Sequence, residues 1–63
     1  MTRFAIYNMN AGEDLGTYDA EGADSALDVM AQAYGFKDYA DCIRDYGLTV
    51  EEAKAELQIT AEG

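Results

Sequence analysis

The sequence predicts an α+β fold: a small antiparallel sheet of two or three strands, with short helices packed on one face, in the order β-β-α-α-α-β. Three observations carry this. Residues 3–9 alternate with a period of two, as a half-buried strand does. Beyond Gly22 the apolar residues fall at helical spacing instead. Close to the end, Thr49-Val50-Glu51-Glu52 has the form of a helix start, and a β-branched stretch follows it. The 63 residues make one domain, 1–63, because domains rarely fall below about 50 residues.

In the first strand Phe4, Ile6 and Asn8 share one side, and Ala5, Tyr7 and Met9 the other. Asn10-Ala11-Gly12-Glu13 is turn chemistry, and Leu15-Gly16-Thr17-Tyr18-Asp19 reads as the returning strand of a hairpin, with Gly16 marking a bulge or a close backbone approach. Asp24 is placed to cap the first helix, whose apolar stripe is Leu27, Met30, Ala31 and Tyr34 and whose end is Gly35. A second helix is expected over Asp38–Tyr46, burying Tyr39, Cys42, Ile43 and Tyr46 and stopped by Gly47. The third opens on the capping box, with Leu48 set to staple against Ala53 and a core face of Val50, Ala53 and Leu57. Leu57-Gln58-Ile59-Thr60 alternates, so it either continues that helix or adds a third strand beside the first. A two-stranded hairpin is marginal alone, which favours the strand, whereas the lack of glycine between Ala55 and Leu57 opposes an abrupt change.

Charge dominates the composition. Thirteen acidic residues oppose four basic ones, a formal net charge of −9. Such a field repels nucleic acid and anionic membranes and attracts basic partners. Solubility alone is the plainer use of the same charge. The single cysteine, Cys42, excludes an internal disulfide, and the absence of histidine excludes Cys/His zinc frameworks and Ser-His or Cys-His nucleophiles. Cys42 lies between Asp41 and Asp45, which disfavour a thiolate, so it reads as structural. Thr17-x-Asp19-x-Glu21-Gly22 with Asp28 is a poor approach to a calcium loop, with Thr in the first place and Asp in the last. No enzyme activity, cofactor or metal is expected. The opening residues lack the apolar stretch of a signal peptide, no run is long enough to span a membrane, and the thiol is free, so a cytoplasmic protein is expected.

The carboxylates themselves form the remaining pattern. Asp38, Asp41 and Asp45 are spaced i, i+3, i+7 on the second helix; Asp24 and Asp28, and Glu52 and Glu56, stand at i, i+4 on the first and third. Like charges so placed repel by a few tenths of a kcal/mol per pair. Lys37 can reach Asp41, whereas Arg44 and Lys54 have no acidic partner four residues away. Rows of carboxylates can imitate a DNA strand, whose phosphates lie roughly 7 Å apart because about 3.4 Å of rise per charge is wound around a helix. Tyrosines among the acids suit an interface; Tyr7 and Tyr18 are expected on the open face of the sheet, whereas Tyr34, Tyr39 and Tyr46 read as core.

The segment Ile6-Tyr7-Asn8…Asp14-Leu15-Gly16-Thr17-Tyr18…Ala26-Leu27-Asp28-Val29-Met30-Ala31 resembles small uncharacterised bacterial and phage proteins in which helices follow a hairpin. In size, acidity and lack of active-site residues the whole chain is similar to the anti-CRISPR proteins of phages and mobile elements. That resemblance implies a DNA mimic acting in the bacterial cytoplasm on a basic nucleic-acid-binding protein, such as the DNA-recognising subunit of a type I CRISPR effector. It transfers no residue, so the candidate contacts remain Asp38, Asp41, Asp45, Asp24, Asp28, Glu52, Glu56, Tyr7 and Tyr18. A monomer with no nucleic-acid or membrane contact of its own is expected. The alternative is a small accessory subunit whose tyrosine-bearing sheet is its contact.

Overall fold

The computed structural model of the protein describes residues 1–62. Strands β1 (Thr2–Asn8), β2 (Glu13–Ala20) and β3 (Leu57–Ala61) form an antiparallel sheet in the order β2-β1-β3. Between β2 and β3 come α1 (Ala23–Ala33), α2 (Tyr39–Ile43), a 3₁₀ turn at Arg44–Tyr46, and α3 (Val50–Lys54). This is the expected element order, with the last strand beside the first. None of the helices among the described residues is long and apolar enough to cross a membrane.

Alternation along β1 decides which face is covered. Phe4 and Ile6 are buried against Ala26, Leu27, Met30 and Ala31 of α1, Tyr39 and Ile43 of α2, and Ala53 of α3. Burying one large apolar side chain is worth about 1.5–3 kcal/mol, so this single layer supplies most of what holds the chain together. The opposite face, carrying Arg3, Tyr7, Thr17, Asp19, Gln58 and Thr60, is exposed. Tyr18 pairs with Phe4 and therefore points to the covered side. The expectation that Tyr7 and Tyr18 mark one open face is corrected: only Tyr7 does.

The anticipated irregularity at Gly16 is a β-bulge. Ile6 pairs with Gly16 but Tyr7 with Asp14, leaving Leu15 as the extra residue. The Asp14 carboxylate accepts the Gly16 N–H at 2.9 Å, and the freed Leu15 carbonyl accepts the hydroxyls of Tyr18 at 2.6 Å and Tyr34 at 3.2 Å. Gly16 has φ +102°, and an added Cβ would lie 3.1 Å from the Tyr18 hydroxyl. Gly16→Ala is therefore expected to cost about 1–3 kcal/mol, read as a lower urea midpoint with an unchanged slope. A stability equal to the parent protein would contradict this account of the bulge.

Helix boundaries differ from the expectation at several points, each for a local reason. Gly22, not Asp24, is the N-cap of α1, and Asp24 stands in the first turn. At the other end Gly35 (φ +94°) donates to the Gln32 carbonyl while Phe36 donates to that of Ala31, the paired bonds of a Schellman termination. Tyr34 consequently ends α1 half-exposed instead of continuing its stripe. The second helix is shorter than Asp38–Tyr46, because Asp38 is its N-cap and Arg44–Tyr46 tightens to 3₁₀; Tyr46 is 72% exposed, not buried. The capping box of α3 forms as expected, with Thr49 and Glu52 exchanging both bonds. Ala53 is buried, but Val50 is exposed and Leu57 belongs to β3. The turn into β3 needs no glycine: the Glu56 carbonyl accepts the Met9 N–H at 2.9 Å, so pairing with β1 begins as the helix ends.

Candidate functional site

Each acidic residue singled out by spacing has a definite place, and most are engaged. Asp38 accepts the Asp41 N–H at 2.8 Å as the cap of α2. Asp41 accepts the backbone N–H of Lys37 at 3.1 Å and pairs with Arg44 at 2.9 Å. Asp45 lies on the 3₁₀ turn, so the i, i+3, i+7 row is not a continuous helical face. Asp28 accepts the Tyr39 N–H at 3.0 Å, joining α1 to the start of α2, and Asp24 is bonded to Lys54. Glu56 falls outside α3, so Glu52 and Glu56 do not stack on it. Arg44 and Lys54 have no acidic partner four residues away, as their spacing says, yet both form ion pairs. Spacing by four misses both, since one pair is i, i+3 and the other crosses from α3 to α1.

A common cause underlies this arrangement. Asp24 stands in the first turn of α1, Asp38 and Asp41 at the start of α2, Asp45 in the 3₁₀ turn, and Glu51 and Glu52 in the first turn of α3. A carboxylate near a helix N-terminus meets the positive end of the macrodipole, worth about 0.3–1 kcal/mol at an exposed site. The Glu52 carboxyl is held below the ordinary range first by the Thr49 backbone N–H and then by its hydroxyl. The repulsion that spacing alone suggests is thus offset by the fold.

The helix starts also converge. Asp24 and Asp28 of α1, Asp38 of α2 and Glu51 of α3 line one open hollow of about 420 Å³, with Leu27 and Tyr39 at its base and Lys54 as its one basic residue. Glu51 is exposed. Glu51 was not singled out by sequence, because its contribution comes from the angle between α3 and α1 and not from any repeat along one helix.

A second hollow, of about 280 Å³, lies between the hairpin end of the sheet and the helices. Tyr34, Phe36, Tyr46 and Leu48 line it and are all exposed, and Glu13 and Glu56 stand at it too. Cys42 also lines it; burial first, and then Asp41, raises its thiol pKa, which favours the neutral form. Two of these rings, Tyr34 and Tyr46, were expected in the core, and Phe36 gave no periodic signal because it follows the helix end at Gly35. The calcium-like stretch Thr17–Asp28 runs through β2 into α1.

Tyr34 joins the end of α1 to the sheet by donating to the Leu15 carbonyl, and Tyr18 of β2 donates to the same oxygen. Burial foremost, then the neighbouring Tyr34 hydroxyl and its charge, then Asp14, push the Tyr18 phenol up from 10.0 to about 12. A raised pKa in the folded state means that stability is complete below pH 10 and is lost as pH climbs through about 12. Denaturant melts are expected to weaken over this range, and Tyr18→Phe to flatten part of the slope. Tyr39, also raised by burial, keeps the remainder. An unchanged slope in Tyr18→Phe would contradict the assignment.

No protein family, curated protein or solved structure matches this chain.

Proposed function

We propose that this protein is a non-enzymatic acidic inhibitor that occupies the nucleic-acid-binding surface of a basic partner. The anti-CRISPR resemblance makes the DNA-recognising subunit of a type I CRISPR effector the specific candidate. The observation that carries the reading is the meeting of Asp24, Asp28, Asp38 and Glu51, from three helices, around one hollow that holds only Lys54 against them. Several carboxylates fixed by helix starts form a preorganised anionic surface, and a Lys/Arg-lined groove is its electrostatic complement. Asp28 and Asp38 are held by backbone N–H groups, so they lose little side-chain freedom when a partner arrives.

Immobilised protein is expected to retain basic DNA-binding proteins from a bacterial lysate at low salt, and duplex DNA to elute them. For the specific candidate, prior incubation with the protein abolishes the mobility shift of target DNA by the effector. Retention that DNA does not disturb contradicts the reading.

A second reading, an accessory subunit bound through an apolar contact, is favoured by one observation: Tyr34, Phe36, Tyr46 and Leu48 stand exposed around a single hollow. Aromatic anchors of this kind concentrate interface energy. Such a contact keeps its affinity as salt rises, whereas the acidic one loses it.

A further inference from the structure

The two edges of the sheet are built differently. The β2 edge carries Glu13, Asp14 and Asp19 and is interrupted by the bulge at Leu15–Gly16. Charges and bulges are the usual means of preventing a foreign strand from adding to a sheet. The β3 edge has neither. Leu57-Gln58-Ile59-Thr60-Ala61 is uncharged in a chain of net charge −9, and it pairs with β1 in unbroken register from Asn8↔Leu57 to Phe4↔Ala61.

The hydrogen bonds at its two ends fix which groups face outward. Met9 donates to the Glu56 carbonyl at 2.9 Å, and Glu62 donates to that of Arg3 at 2.7 Å. Bonding alternates along an antiparallel pair, so Gln58 and Thr60 turn their backbone groups to β1. The N–H and C=O groups of Leu57, Ile59 and Ala61 therefore face the free edge.

We propose that this edge is a strand-docking site for a partner protein. The segment it takes is extended, β-branched in its middle, and carries Lys or Arg at both ends. Main-chain bonding to Leu57, Ile59 and Ala61 supplies the affinity, as in strand addition generally. The ends supply the selectivity. Glu56 and Glu62 flank the strand, both exposed, and neither makes an ion pair among the described residues; the nearby Arg3 is bonded to Asp19. A second copy of this chain is the wrong occupant. Antiparallel self-pairing centred on Ile59 sets Glu56 against Glu62 twice, between molecules that already repel. The site is distinct from the helical acidic face and does not depend on it.

The test uses the full chain and a short synthetic peptide of alternating valine and threonine with a lysine at each end. Amide exchange followed by NMR is expected to show the peptide protecting Leu57, Ile59 and Ala61. The same peptide with glutamate ends, or with alternate amides N-methylated, is expected to bind at least about tenfold more weakly. Ala61→Pro removes an outward N–H that β1 does not use, so it should weaken the peptide while the fold remains. In about 150 mM salt, where charges more than about 8 Å apart are largely screened, Asp24→Lys with Glu51→Lys should still leave Leu57, Ile59 and Ala61 protected by the peptide. The proposal is overturned if those amides gain no protection, if the glutamate peptide protects them equally, or if the N-methylated peptide does. Loss of the response in the Asp24→Lys, Glu51→Lys variant also overturns it, as does protection that grows with protein concentration before any peptide is added.

Discussion

Leu27→Ala should leave the protein largely unfolded at temperatures where the parent is folded. Leu27 is 1% exposed and, with Ile6, is among the largest fully buried side chains. Removing a buried leucine to alanine costs about 2–5 kcal/mol, because both the transfer of the lost carbons and the cavity left behind count against the fold. At ordinary values per residue, a chain this short has a total stability of only about 3–9 kcal/mol. The melting temperature, followed by circular dichroism, is expected to fall by about 10 °C or more. Val29→Ala makes the control on the same helix. Val29 is 36% exposed, and its truncation should cost less than about 1 kcal/mol. If the two variants melt together, the single apolar layer between sheet and helices is not what holds the molecule.

The second large effect is on binding. Asp24→Lys combined with Glu51→Lys reverses two charges at the rim of the acidic hollow without touching a hydrogen bond that shapes a helix. Affinity for the proposed basic partner is expected to drop by about a hundredfold at low salt, since close charge pairs across an interface couple by about 1.5 kcal/mol or more. The Asp24–Lys54 pair is a surface contact with Asp24 81% exposed, so its loss costs little. Both acids stand in first turns of helices, however, and their reversal should lower stability by about 1–2 kcal/mol. Affinities are therefore compared where both proteins are folded. Substituting Asp38, Asp41 and Asp45 together would be a poor test, because Asp38 caps α2 and Asp41 ties Lys37 and Arg44 to it. Such a variant would lose binding by losing its helix. Undiminished affinity in the Asp24→Lys, Glu51→Lys protein would remove this face from the account.

The fold was legible because local signals and tertiary demands agreed over most of the chain. Phe4 and Ile6 alternate in the sequence and are buried together, Leu15–Gly16 is the bulge, and Thr49–Glu52 is the capping box. Even the uncertain ending followed from one requirement: a hairpin needs a third strand if helices are to pack on it, and β3 supplies that strand. What failed to read out was the geometry between elements. Asp24 has a side chain able to cap α1, but Gly22, which has none, is the N-cap. Helical spacing continues through Asp38 and Tyr46 in the sequence, but a cap and a 3₁₀ turn break the period at each end.

The candidate site shows the same division more sharply. Asp24 and Asp28 share a surface, as their i, i+4 spacing on α1 expects, whereas Asp38 joins them through the packing of α2 against α1 and not through its own row. Glu51 joins them from α3, and Lys54 reaches across to Asp24. No pattern along one helix encodes a contact thirty residues away. Tyr7 and Tyr18 share a residue type but not a face, because Tyr18 pairs with Phe4 on the covered side. Tyr34, Phe36, Tyr46 and Leu48 gather around a hollow because each sits just past a helix end or just before a helix start, where periodicity carries no information.

The most direct measurement is the equilibrium affinity for the proposed basic partner between about 50 and 200 mM salt. A complex held by carboxylates at helix starts against a cationic groove should weaken at least about tenfold across that range, and the Asp24→Lys, Glu51→Lys protein should show a shallower dependence. An affinity that stays level, with the variant indistinguishable from the parent, would mean that the acids serve only their own helices and that the contact lies elsewhere.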